Sequence, residues 1–307
     1  MDVRQLRHVL AVVDNGTFTR AARACHVAQP SLSQSIRALE SELGVELFHR
    51  AGRTVRLTAA GAALVGPARQ TVRDLANAEA AVAEVVGVRA GTLDIVCLPT
   101  LAAEPAAELI GRFRRSAPQV TVRLHETEFA SDVPRRVLDG SSELGLAELP
   151  VAGGDLEIHE LDLQRYVAVL PPDDTSRLPD RPISLESLAG LPLITTPVGT
   201  STRGQIDEAF AAAGLEPHVV VETDHREAIG PLVVAGAGVS ILPRTAAEGA
   251  LRLGAILRDI TPPMVRRVGL LSRTGPVSPA ARHFIELAAP TAPTLAAPRP
   301  GGRRPRT

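Results

Sequence analysis

The sequence contains no lysine: all 33 of its basic side chains are arginine. Arginine is the better reader of phosphates and base edges, but a complete absence of lysine fits genome composition more simply than function. Cysteine is scarce, with Cys25 and Cys97 alone, which excludes a disulfide framework. Both read as small buried hydrophobes, Cys25 on a helix and Cys97 in an apolar strand. The alternative, a thiol redox switch, has the two in different domains with no resolving partner nearby in sequence. No apolar run reaches about 18 residues, so no membrane span is expected. Met1-Asp2-Val3-Arg4 is not a basic stretch leading into an apolar core, so no signal peptide is expected and the cytoplasm is the expected compartment. Phosphate loop, nucleophile elbow and metal-ligand spacing are missing too, so no cofactor is expected and an enzyme is disfavoured.

What is present is a chain of 307 residues, 45% of them hydrophobic, enough for two or three domains with real cores. The net charge of −1 hides an asymmetry. Residues 1–58 carry +3, residues 59–90 balance, residues 91–289 carry −8, and the tail from Pro290 carries +4. A basic head on an acidic body suits a nucleic-acid module joined to a sensor.

The head holds three short helices by spacing. Val3, Leu6, Val9, Leu10 and Val13 predict a helix over 2–14, ended by Gly16. Thr17 or Thr19 caps a second helix carrying Ala21, Ala22 and Cys25. A third runs from about Gln29 to Leu43, with Pro30 in its first turn and Leu32, Ile36, Leu39 and Leu43 toward the core. Its other face shows Gln29, Ser31, Ser33, Gln34 and Arg37. Gln pairs well with adenine edges, and Ser reaches bases or phosphates. Small polar side chains on a first turn suit a helix whose N-terminal end lies in a major groove. Leu47-Phe48-His49-Arg50 and Val55-Arg56-Leu57 then bracket Ala51-Gly52 as a hairpin. Arg50, Arg53 and Arg56 line this wing, either as solvated surface or as contacts to a narrow minor groove and flanking phosphates.

From Leu6 to Gly61, ending in Leu57-Thr58-Ala59-Ala60-Gly61, the segment resembles the N-terminal domain of LysR-type transcriptional regulators. The resemblance implies that Gln29, Pro30, Ser33 and Gln34 approach bases and that Arg53 reaches the minor groove. Cys25 stands where that family usually has Leu, which changes only a core contact. The implied partners are a double-stranded operator dyad, a small-molecule effector, a second copy of the chain in a dimer or tetramer, and, as a further candidate, RNA polymerase.

Thr58 caps a helix expected to reach Val86. Leu64, Ala68, Thr71, Leu75, Ala78, Val82 and Val85 form a heptad seam, with Pro67 inside as an expected kink. This is either a helix packed on its own domain or, as in the family, a dimer helix; Gly87 and Gly91 form a hinge. From Thr92, strands and helices alternate: Leu93–Leu98, Leu101–Ser116, Val120–Leu124, Phe129–Leu138 and Leu144–Ala147. A second unit holds Tyr166–Leu170, Leu193–Thr196, Thr202–Ala213, Val219–Val221, Ala228–Ala235 and Val239–Pro243. Val265–Leu271 and Ala280–Leu287 return to the first lobe. Alternation implies a parallel sheet with crossover helices. The expected architecture is α/β with an N-terminal α winged helix-turn-helix at 1–58 and a long linker helix and hinge at 59–90. A two-lobed periplasmic-binding-protein-like (type 2) effector domain follows at 91–289. Lobe one takes about 91–161 and 266–289, and lobe two 162–265. A disordered tail is expected over 290–307, either an inert overhang or a source of phosphate contacts through Arg299, Arg303, Arg304 and Arg306.

In such sheets ligands bind at the carboxyl ends of strands, beside helix N-termini. That rule selects Pro99, Thr100, Thr127 and Glu148 in lobe one, and Ser201, Thr202 and Arg203 in lobe two. Thr202 with Gln205 also reads as a capping box, and Thr100 as a helix cap. The family resemblance places positions matching Thr100, Thr127 and Thr202 in the effector cleft. Arg203 turned inward would favour a carboxylate or other anion; turned outward it is solvated surface. A small-molecule-binding protein without DNA function, or an enzyme on the same body, are the competing classes. A peroxide sensor of this family would need paired cysteines in lobe two, and none are there.

Overall fold

A computed structural model describes residues 1–49, 55–85, 91–172 and 182–289. In the head, Asp2 starts α1 (Val3–Asn15) through a reciprocal cap with Gln5, both bonds 2.8 Å. Gly16 ends the helix at φ +69°, a left-handed turn that glycine adopts without strain. Thr17, not Thr19, caps α2 (Phe18–Ala24). The turn onward passes through His26 at φ +54°. The next helix, α3 (Gln29–Leu43), has the expected bounds. Leu32, Ile36 and Leu39 are fully buried among Val9, Val12, Ala21 and Ala22. Leu43 departs from expectation at 40% exposure. The buried stripe ends instead at Glu40, whose carboxylate turns inward to accept the Leu47 N–H at 2.9 Å. Among the described residues of the wing, β1 (Phe48–His49) pairs antiparallel with β2 (Arg56–Leu57). Phe48 is buried edge-on against Phe18, ring centroids 5.8 Å apart.

Thr58 Oγ1 accepts the Gly61 N–H at 3.0 Å and starts α4 (Ala59–Val85). The expected seam divides. Leu64 and Ala68 pack on the head against Leu6 and Leu10, while Thr71, Leu75, Ala78 and Val82 are exposed. The helix also ties the head to the body: Arg69 pairs with Asp14, and Arg73 donates to the Gly140 carbonyl. The proposed hinge residue Gly87 lies outside the described residues, as does the tail 290–307.

The body is a mixed sheet, not a parallel one. In lobe one, β3 (Gly91–Cys97) lies parallel to β4 (Val120–Glu126) and to β5 (Leu144–Leu149). The predicted helix Leu101–Ser116 is broken. It consists of α5 (Pro99–Leu101) and α6 (Ala107–Ser116), separated by a kink within Ala102–Ala106. Glu104 leaves helical geometry at φ −153°, ψ 127°, next to Pro105, which has no N–H for a helical bond. The helix predicted over Phe129–Leu138 starts three residues later as α7 (Asp132–Leu138).

The largest departure is β6 (Leu156–Leu170), expected only over its last five residues. It runs through both lobes. Lobe two adds β7 (Ile183–Ser184), α8 (Leu185–Ala189), β8 (Leu193–Thr195), α9 (Ser201–Ala212), β9 (Val219–Glu222), α10 (Arg226–Val234), β10 (Val239–Pro243), α11 (Arg244–Arg252) and β11 (Ile256–Thr261). The chain then returns through β12 (Val265–Arg273) to α12 (Pro279–Ala288). β8 is parallel to β9 and β10, whereas β10 and β11 pair antiparallel with the end of β6. β12 pairs antiparallel with both β5 and β6. Lobe one has one core, around Ile95, Leu101, Phe113, Leu146 and Phe284. Lobe two has a core on each face of its sheet, around Phe210 and Ile229 respectively.

Candidate functional sites

The first turn of α3 projects from the head. Gln29, Pro30, Ser31, Gln34 and Arg37 are exposed while Leu32 and Ile36 hold the other face in the core. Ser33 departs from expectation: it is 8% exposed and lies against the head's interior. Arg50 and Arg53 lie outside the described residues. Of the predicted groups, therefore, the structure brings five onto one open face.

The second site lies where β3, β5, β6, β12 and α9 converge, and its centre is a residue that the strand-end rule missed. Arg266 on β12 has a side chain only 1% exposed. Its Nη2 donates to Thr100 Oγ1 at 2.5 Å and to Gln164 Oε1 at 2.6 Å. Nε donates to the same Gln164 oxygen at 2.9 Å, and Nη1 to Ser201 Oγ at 2.9 Å. Glu148 Oε2 stands 3.6 Å from Nη1 and accepts from the Ser201 hydroxyl, while Gln205 donates to Oε1. A buried guanidinium requires an opposite charge and saturated donors, and this arrangement supplies both from two lobes. Tyr166 adds its ring, whose centroid is 5.6 Å from the Arg266 Cζ. Burial pushes the Tyr166 phenol well up, so it remains a neutral donor.

Thr100, Glu148 and Ser201 are thus brought together as predicted, and Pro99 starts α5 beside them. The others are placed differently. Thr202 does not cap α9; Thr200 does, through the Arg203 N–H at 3.4 Å. Thr202 is 2% exposed, and Gln205, its expected capping partner, turns to Glu148. Arg203 is not an inward anion ligand. Its Nε donates to Asp207 at 2.8 Å and its Nη1 to Glu222 at 3.2 Å, all within lobe two. Thr127 gives its hydroxyl to Asp132 at 3.0 Å. Hydrogen bonds from Arg135 and then Thr127 hold the Asp132 carboxyl below its usual range. One signal for Arg266 was in the sequence. Val265-Arg266-Arg267-Val268 places adjacent arginines in an apolar strand, and successive strand residues face opposite sides, so one of them must point inward.

Two further contacts cross the lobes. Phe129 forms a backbone bridge with Thr200, and Arg226 pairs with Glu128 at 2.7 Å. Cys97 is fully buried, and burial, with Glu126 adding, pushes its thiol up to about 12. It stays protonated at neutral pH and is a poor nucleophile.

A helix-turn-helix head with a free first turn, joined by a long helix to a two-lobed clamp with polar groups converging between lobes, defines an effector-binding DNA regulator. Comparison with known proteins agrees. Residues 3–62 match the bacterial regulatory helix-turn-helix protein family of lysR type, and residues 87–292 match the LysR substrate binding domain. The chain belongs to the LysR family of transcriptional regulators. The uncharacterized HTH-type transcriptional regulator YwbI of Bacillus subtilis is 31% identical over 81% of this chain and 82% of its own length. A full-length OxyR from Pseudomonas aeruginosa, 28% identical, superposes with a TM-score of 0.76 over 94% of this chain and 93% of that one. Full-length CbnR complexed with its target DNA, 25% identical, gives 0.68 over 94% and 99%. Among the described residues no helix is long and apolar enough to cross a membrane.

Proposed function

We propose that Gln29, Pro30, Ser31, Gln34 and Arg37 on α3 read base edges and phosphates of an operator dyad, with Arg50 and Arg53 contributing from the wing. A small molecule bound around Thr100, Glu148, Ser201 and Arg266 sets the arrangement of paired heads, and the chain performs no catalysis of its own. The segments 1–58, 59–90 and 91–289 serve as reading head, linker and sensor, in the cytoplasm. The observation that carries this reading is the free polar first turn of α3 above a fully buried apolar stripe. An effector can shift the DNA-bound arrangement only by its different affinity for the two states. The test is fluorescence anisotropy on an operator selected from random duplexes. Gln34→Ala is expected to lose about 1–3 kcal/mol of preference at one base pair. Arg53→Ala is expected to weaken binding to all duplexes and flatten its salt dependence. Unchanged operator affinity in both variants would refute the assignment of the reading face.

A further inference from the structure

We infer that the effector is a zwitterion of the α-amino-acid type, its carboxylate received at Arg266 and its ammonium at Glu148. This rests on the reading that the interlobe cleft is the effector site. The cleft holds one charge of each sign from neighbouring strands, Arg266 at 1% side-chain exposure and Glu148 at 16%. The two are not hydrogen-bonded directly, since 3.6 Å between Nη1 and Oε2 is too long. Ser201 stands between them, accepting from Arg266 and donating to Glu148. A simple anion placed beside Arg266 meets the Glu148 carboxylate at short range, and a simple cation placed beside Glu148 meets Arg266. In a poorly hydrated site each such like-charge approach is costly. A molecule carrying both charges meets each with its opposite and leaves the net charge of the cleft unchanged.

A second observation points to the carboxylate end. The Tyr166 hydroxyl is buried, the residue being 2% exposed; its one polar neighbour, Arg266, can only donate, so the phenol proton has no acceptor among the described residues. It belongs to the same cluster, feeling the charges of both Arg266 and Glu148. Buried donors are ordinarily satisfied, and a carboxylate at Arg266 is the acceptor this one lacks. Arg203, which the sequence left either as an inward anion receptor or as solvated surface, is paired with two carboxylates, Asp207 and Glu222. The donors of Arg266 instead go to the neutral groups of Thr100, Gln164 and Ser201, which an effector carboxylate would replace with a charged acceptor.

The test uses the full-length chain in isothermal titration against the twenty common amino acids, each beside its des-amino carboxylic acid, such as alanine beside propionate. The expected result is that one amino acid, or a small related set, binds at least about tenfold more tightly than its des-amino partner. Glu148→Gln is expected to abolish that preference by weakening the amino acid and not the carboxylic acid. Tyr166→Phe, which keeps the ring packing, is expected to weaken both several-fold. Equal binding of the two classes, an unchanged preference in Glu148→Gln, or no binding by any of the twenty would overturn the inference. A des-amino acid that binds as well as its amino acid, and is lost in Thr100→Ala, would overturn the zwitterion while keeping the cleft as the effector site. Binding undiminished in both Thr100→Ala and Glu148→Gln would place the effector elsewhere.

Discussion

Replacing Gly61 with alanine tests how the head is seated on the linker. In the first turn of α4, a Cβ at position 61 would stand 2.1 Å from the Leu47 carbonyl oxygen and 2.9 Å from Leu57 Cδ2. Carbon and oxygen rest in ordinary contact near 3.4 Å, so helix and wing must part by more than about 1 Å. What must yield is backbone. The same Leu47 carbonyl accepts the Thr58 N–H at 3.0 Å, and the Leu47 N–H is held by Glu40. Forcing an added carbon into such a site costs about 1–3 kcal/mol, and a weakened Thr58–Leu47 bond adds about 1. Higher helix propensity of alanine returns up to about 1. The net expectation is a loss of about 1–3 kcal/mol. Gly66, one and a half turns on, has nothing within 4 Å of its Cβ position, so Gly66→Ala is expected to stabilise slightly. Hydrogen exchange of the buried α3 amides in the full-length chain reads the head's opening. Gly61→Ala should accelerate it by about 5–150-fold, and Gly66→Ala should not. Unchanged protection in Gly61→Ala, or equal loss in both, refutes the packing argument.

Two other outcomes follow from the linker and from α1. Leu75→Arg, on the exposed face of α4, is expected to weaken self-association at least about tenfold, because each protomer would forgo burying a leucine worth about 1.5–3 kcal/mol. Sedimentation velocity measures this, and an unchanged mass distribution counts against that face as the contact between copies. His8 is 6% exposed with Nδ1 2.8 Å from Ser35 Oγ. Burial and then Arg4 hold its pKa below the ordinary value, opposed by Asp2. Its folded pKa is depressed, so the unfolded chain takes up the proton first as pH falls. The head's stability is then full above histidine's ordinary pKa of about 6.5 and declines as pH falls through that value toward the lower folded one. His8→Gln should lessen this slope in the urea midpoint between pH 7.5 and 5.5, and identical slopes in both proteins would refute the assignment.

The exposed polar face of α3 was legible before any fold was known, because its logic is local. A helix period fixes which side of Gln29–Leu43 is apolar, and the remaining side must face outward. The same rule failed at Leu43 and Ser33, where burial depends on what lies opposite rather than on spacing. Strand ends and helix starts in the sensor were legible for similar reasons, and they located Thr100, Glu148 and Ser201. Arg203 and Thr127 satisfied the rule equally well, yet Asp207, Glu222 and Asp132 claim their polar atoms. A sequence rule about position says nothing about such competition between neighbours.

The chain's own sequence determined the helices of the head, the connecting helix and the family, since each rests on patterns within a few turns of one another, whereas β7, α8, α11, β11 and most of β6 were not legible in it. Tertiary structure alone decided that Leu64 and Ala68 leave the heptad seam to pack on the head, and that one long strand, β6, carries both lobes. It also decided that Arg266 occupies the cleft centre. Its partners Thr100, Gln164, Glu148 and Ser201 are 65 to 166 residues away along the chain. Charge pairing across such distances is settled only when the strands take their places, because an electrostatic contact depends on separation in space and burial, not on spacing in sequence.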